Sequence, residues 1–145
     1  MRALPADPGH LIVACDGASR GNPGPAGIGV QITTEDGTVL AEIARGLGEA
    51  TNNVAEYTAV IEGLSHAREL GARSVTLRSD SLLLINQLTG RYRVKSTHLQ
   101  PLHRRARSIA AGFERISFEH VPREENREAD RLANEGVDLW LAGER

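Results

Sequence analysis

The chain is poor in cysteine, has no long apolar span and carries no excess of either charge, and each shortage excludes something. Cys15 is the single cysteine, so no internal disulfide can close; its place in the apolar run Leu11 to Cys15 predicts a buried structural thiol rather than a reactive one. Neither a charged-then-apolar leader nor an apolar run of membrane length stands out, which predicts a soluble, cytoplasmic protein with no membrane partner. The formal net charge is −2 and the pI is near 6.2. A polyanionic partner would therefore have to be held by a local basic patch or by metal ions. Internal repeats and low-complexity tracts are also absent. No Gly-Lys-Ser or Gly-Lys-Thr follows the glycine-rich stretch after Asp16, which excludes a nucleotide P-loop.

What is present suits one domain: 145 residues with 40% hydrophobic content can bury a proper core. "LIVACD" reads as a mostly buried strand ended by an acid at Asp16-Gly17. "AGIGVQITT", the turn Glu35 to Thr38 and "VLAEIARGLG" complete a three-strand meander. From Asn53 the rhythm becomes helical, with Val54, Tyr57, Ile61 and Leu64 on one stripe and Gly71 as the stop. "SVTLRSD" is a further strand ending in an acid, and "SLLLINQL" a short helix. A basic connector, "GRYRVKST", leads to the basic helix "HLQPLHRRARSIAAG", the strand "FERISFEHV" and a last helix over "REENREADRLANEGVDLW". Residues 10–140 form the predicted domain, with loose tails at 1–9 and 141–145.

Asp16 and Asp80 each follow an apolar strand in a mixed α/β chain, and such strand ends are where open α/β sheets build their sites. Glu56 near the start of the first long helix and Asp130 in the first half of the last one could converge on the same edge. Four acids without cations repel one another unless divalent metal supplies positive charge. Oxygen donors with no thiol and no paired histidines favour Mg²⁺ or Mn²⁺ over zinc. Each acid also fits a plainer role. Asp16-Gly17 suits a turn, Asp80-Ser81 a helix cap, Asn53 to Glu56 a capping box, and Asp130 an exposed helix charge.

Four stretches in order, "DGASRGNPGPAG", "TNNVAEYTAV", "SDSLLLINQL" and "HVPREENREADRLAN", resemble the motifs of the type 1 ribonuclease H family over residues 11–137. The resemblance implies a five-stranded mixed sheet, three antiparallel strands then two parallel ones, with helices on both faces. It implies an endonuclease that hydrolyses the RNA strand of RNA/DNA hybrids with little sequence preference, leaving 5′-phosphate and 3′-hydroxyl ends. Two Mg²⁺ ions, or Mn²⁺ in their place, would be held by Asp16, Glu56, Asp80 and Asp130, with Asp16 touching both. Substrate contacts would come from Gly17, Asn22, Thr51, Asn52, Asn53, Ser81, Lys95 and Asn126, with the protein acting as a monomer.

In two places the chain departs from the family pattern. Many members carry a basic helix and loop between the third and fourth motifs; here only "TGRYRVKSTHLQPL" stands there, although Arg91, Arg93, Lys95, Arg104, Arg105 and Arg107 still gather positive charge. Many also place a histidine before the last acidic helix, where this chain has Arg123, a permanent cation that can attract phosphate but cannot act as a general base. His120 reads as the end of a strand. Two other readings remain open on the residues alone: a non-catalytic hybrid-binding module, and another metal-dependent nuclease or transposase-type enzyme of the same fold.

Overall fold

A computed structural model describes residues 9–144, so most of the predicted N-terminal tail and residue 145 lie outside the described residues. The elements run β1 (His10–Ser19), β2 (Gly24–Thr34), β3 (Val39–Ala50), α1 (Asn52–Glu69), β4 (Ser74–Ser79), α2 (Leu82–Leu88), α3 (Gln100–Ala110), β5 (Arg115–His120) and α4 (Arg127–Leu139). A 3₁₀ turn over Arg123–Glu125 precedes α4, so the last helix starts later than its charged sequence suggested. After α4 the chain makes a further turn over Trp140–Glu144, broken by the positive φ of Gly143, that reaches into the stretch assigned to the C-terminal tail. Among the described residues no helix is long and apolar enough to cross a membrane.

The five strands form one sheet in the order β3-β2-β1-β4-β5, with β1 in the middle. Pairings β1–β2 and β2–β3 are antiparallel; β1–β4 and β4–β5 are parallel. This is the mixed sheet that the resemblance implied. Alternation divides its faces. Leu11, Val13 and Cys15 of β1, with Ile28, Val30 and Ile32 of β2, enter the main core with α1 and α3. Gly27 and Gly29, on the other side of β2, meet the backbone of α4.

That second contact leaves no room for side chains. A Cβ on Gly29 would overlap the Ala129 carbonyl oxygen and the Ala133 amide nitrogen, so α4 lies directly on the β2 backbone. Gly29 is the pairing partner of Asp16, and the approach therefore also sets how near α4 comes to that acid. Gly29→Ala is expected to destabilise the fold by roughly 1–3 kcal/mol, as overpacking does in closely packed interiors. Urea unfolding checks this; unchanged stability would mean that α4 is free to move off the sheet.

Candidate active site

Asp16 owes its surroundings to two ladders that stop at different points. Parallel pairing of β1 with β4 ends at Ala14↔Arg78, whereas antiparallel pairing with β2 continues to Ser19↔Ala26. The sequence predicted that the strand would end in its acid and turn at Gly17. Instead β1 runs three residues further, because β2 begins at Gly24 and supplies partners to Gly17, Ala18 and Ser19. The hairpin is closed by the Arg20 amide donating to the Pro25 carbonyl at 2.9 Å. Asp16 thus sits beyond the end of one ladder and inside the other, opposite the residue that follows β4, Asp80.

Glu56 arrives from α1. Thr51 has extended backbone and its Oγ1 accepts from the Val54 amide at 3.2 Å, making Thr51 the N-cap. This corrects the capping box read from Asn53 to Glu56: with the cap two residues earlier, Glu56 falls past the first turn, where it has no cap amide to reach for. A Cβ on Gly17 would overlap the backbone of Ala55 and Glu56, so glycine there lets α1 start directly against β1. Gly17, expected as a substrate contact, thus also makes room for α1. Ser81 caps α2, its Oγ accepting from the Leu84 amide at 3.2 Å, and its side chain is also hydrogen-bonded to Glu56.

Carboxylate oxygens of Asp16, Glu56 and Asp80 all lie within 4.8 Å of one another. Asp130, in the first turn of α4, stands outside that triad but within hydrogen-bonding reach of Asp16. Burial, then the charge of Asp80, then the hydrogen bond and charge of Asp130, push the Asp16 carboxyl up to about 8. Burial and Asp80 push Glu56 up to about 7, against the opposing pull of Ser81. Among the described residues no cation appears with the groups that shift either acid. Gathered hard oxygen donors that resist ionisation for want of positive charge fit a divalent cation. Beneath them Cys15 is fully buried and its thiol is raised by burial and then by Asp16, in keeping with a structural role.

The acids line a cleft of about 340 Å³ together with Gly17, Asn52 and Arg123, all of them expected there. Arg123 is 79% exposed with its guanidinium 3.7 Å from the Asp130 carboxylate. Arg20 and Asn134 also line the cleft and were not anticipated. Arg20 pairs with Asp138 at 2.8 Å and donates to the Asn134 side chain at 3.3 Å. Asn134 lies one helical turn after Asp130, a spacing that offered the only sequence signal for it.

Asn22, Thr51 and Asn53 line a neighbouring groove of about 550 Å³ rather than the cleft itself. Asn22 Oδ1 accepts from the Asn52 amide at 3.0 Å, joining the hairpin to the start of α1. Lys95 is exposed on the connector between α2 and α3, outside both cavities. Asn126, expected to touch substrate, is only 2% exposed, and its Nδ2 donates to the Cys15 carbonyl at 3.1 Å. It lies under the site, because the 3₁₀ turn folds it inward just before α4 begins. His120 ends β5, paired with Ser79, as expected.

Residues 14–136 match the family model described as reverse transcriptase-like. The chain is similar to a bifunctional protein of Mycobacterium tuberculosis, 48% identical over 129 residues, which are 88% of this chain and 35% of that protein. It thus spans about a third of the length of that relative. The solved N-terminal RNase H domain of the same protein superposes with a TM-score of 0.87, covering 89% of this chain and 99% of that one. RNase H1 from the archaeon Halobacterium salinarum gives a TM-score of 0.88 at 44% identity, over 90% of this chain and 99% of that one. LC11-RNase H1, isolated from compost and solved in complex with an RNA/DNA hybrid, gives 0.86 at 42% identity, over 90% of this chain and 99% of that one. Four acids delivered by β1, α1, β4 and α4 to one cleft, on a sheet shared along nearly its whole length with these structures, mean that the chain belongs to the type 1 ribonuclease H family.

Proposed function

We propose that the chain is an endoribonuclease hydrolysing the RNA strand of RNA/DNA hybrids, with Mg²⁺ as its metal and Mn²⁺ able to substitute. The observation that carries this reading is the triad of Asp16, Glu56 and Asp80 with ligand oxygens within 4.8 Å, joined by Asp130. The hybrid bound to LC11-RNase H1 supports the substrate class. All four acids come from one chain, so the chemistry asks for no second copy.

Asp16, which belongs to the triad and lies within reach of Asp130, would be shared, with Glu56 and Asp80 holding metal on the leaving-group side and Asp130 on the attacking side. When bound, two divalent cations would offset the carboxylate charge, orient the attacking water and polarise the scissile phosphodiester. Ser81 holds the Glu56 carboxyl by a hydrogen bond. Arg123 reaches out from the rim and draws phosphate towards the cleft as a fixed cation. Asn52, whose amide is already occupied by Asn22, presents its side chain to the cleft for the sugar and phosphate of the RNA strand. Asn22, Thr51 and Asn53 line the adjoining groove along which the backbone continues, and the exposed Lys95 adds charge on the connector.

Three outcomes follow from these placements. Replacing the ribonucleotides of the hybrid with deoxyribonucleotides should abolish cleavage, and a run of about four ribonucleotides in duplex DNA should restore it, because discrimination rests on 2′-hydroxyls. Comparable cutting of all-DNA duplex in a gel assay would point to the transposase-type alternative.

Stability without metal has a definite sign. The folded-state values of Asp16 and Glu56, about 8 and about 7, exceed their ordinary values of 3.8 and 4.5. Their protonated forms favour folding, so that contribution is complete below about pH 4 and is lost progressively as pH rises from there through about 7 and about 8. In chelator, melting temperature should therefore fall over that window, and Mg²⁺ or Mn²⁺ should reverse the fall. Asp16→Asn should melt higher than wild type in chelator at pH 8 while losing most hybrid cleavage, as removal of a charged metal ligand would require. Scanning fluorimetry beside a cleavage assay checks both; near wild-type activity in Asp16→Asn would sink the metal-dependent reading.

Arg123→Ala should slow turnover about tenfold, far less than Asp16→Asn, as expected for a cation that attracts phosphate without transferring a proton. His120→Ala should leave the shape of the pH–rate profile unchanged. A step near neutral pH that vanishes in His120→Ala would transfer the proton role to that histidine.

A further inference from the structure

Asp16 stands on β1 and Asp130 on α4, so the geometry of the pair depends on how α4 is held against the sheet. Gly27 and Gly29 set how closely α4 approaches β2, through non-directional backbone contact. At the start of α4 one residue makes directional bonds to both sides. The Asn126 Nδ2 donates to the carbonyl of Cys15, the residue before Asp16, at 3.1 Å. The Asn126 carbonyl accepts from the amide of Asp130 itself at 3.1 Å. The Cys15 carbonyl lies one residue past the last β1–β4 pair, Ala14↔Arg78, where the parallel ladder no longer holds the strand.

The burial of Asn126 is not explained by stability alone. It is 2% exposed, makes no side-chain cap bond to α4, and its Oδ1 is a buried oxygen without a hydrogen-bond partner. A buried amide left half satisfied weakens a fold, and such a group calls for a separate reason. The bond made by its other half supplies one.

We propose that Asn126 is a positioning residue: by bridging the Cys15 carbonyl and the Asp130 amide, it sets the separation of the Asp16 and Asp130 carboxylates and so the geometry in which the pair receives metal. This rests on the hydrolytic reading above, and a metal-binding measurement keeps the two separable. The path is short, running from Asp16 through one peptide, one side-chain hydrogen bond and one helix hydrogen bond to Asp130.

The test compares wild type, Asn126→Ala and Asn126→Asp, each first melted in chelator and checked by circular dichroism. Mn²⁺ binding is measured by calorimetry without substrate, and hybrid cleavage by steady-state kinetics. Both variants should stay folded, bind Mn²⁺ about 10–100-fold more weakly, and lose kcat by a similar factor with KM within about twofold of wild type, as losses of groups that orient metal ligands do. In an Asp130→Asn background Asn126→Ala should add little further loss, because its effect passes through Asp130. A raised KM with unchanged kcat would make Asn126 a substrate contact and overturn the proposal. So would unchanged Mn²⁺ affinity with only a lower melting temperature, or failure of both variants to fold, since each assigns Asn126 to the fold alone. Inactivity of wild type on hybrid would instead strike the hydrolytic reading, with the Mn²⁺ titrations still deciding the role of Asn126.

Discussion

Holding Asp16, Glu56 and Asp80 within contact distance opposes folding, because each acid raises the cost of ionising its neighbours and burial adds to it. The scaffold therefore has to be stable without help from the groups it assembles. It manages this with contacts that carry no charge: the apolar core between the sheet, α1 and α3, and the backbone packing at Gly17 and Gly29. At both glycines the absent side chain is what lets a helix start, or a helix flank, come close enough to bring its acid to Asp16. Repulsion at the site and tight packing beside it are two sides of one arrangement.

The sheet contributes by ending unevenly. Had β1 and β4 stayed paired to the same level, Asp16 would face a strand neighbour instead of a cleft. Because β2 holds β1 after β4 has left it, Asp16 is rigid on one side and open on the other. Asp80 then needs no special placement beyond being the first residue after Ser79, and Ser81 completes it by starting α2 while bonding Glu56.

Much of this was legible in the sequence because apolar alternation and Gly or Asn punctuation reflect local physics. The order of strands and helices, the turn at Glu35 to Thr38, the stripe of α1 and the burial of Cys15 are of that kind. The four acids were legible only as a set of motifs, since each one singly fits a turn, a cap or a surface charge. What was not legible depends on partners distant in the chain. The extension of β1 past Asp16 needs β2 to begin at Gly24, the clearance at Gly17 and Gly29 needs α1 and α4 docked on the sheet, and Arg20 enters the cleft only because Asp138 and Asn134 face it. The burial of Asn126 was not legible for the same reason: it depends on the Cys15 carbonyl, 111 residues away, which accepts from its side chain.

The four acids do not form a uniform cluster, and the way they are held explains why. Glu56 comes from the main-core side on α1, whereas Asp16 and Asp80 stand where β1 and β4 part, and Asp16, paired with Gly29, shares the face that α4 covers. Asp130 comes from the face opposite the main core, on a helix whose buried residues Ala129, Leu132, Ala133 and Val137 lie outside that core. Its position relative to the triad is therefore set by how α4 sits on the sheet, through the backbone contacts at Gly27, Gly29 and Gly136, the pairs Arg20–Asp138 and Arg131–Glu42, and the Asn126 bond to Cys15. A site assembled in this way has one acid whose alignment depends on the docking of α4. Directional bonds, from Asn126 to the Cys15 carbonyl at its start and from Arg20 to Asn134 and Asp138 further along, hold α4 along the sheet while burial sets its height.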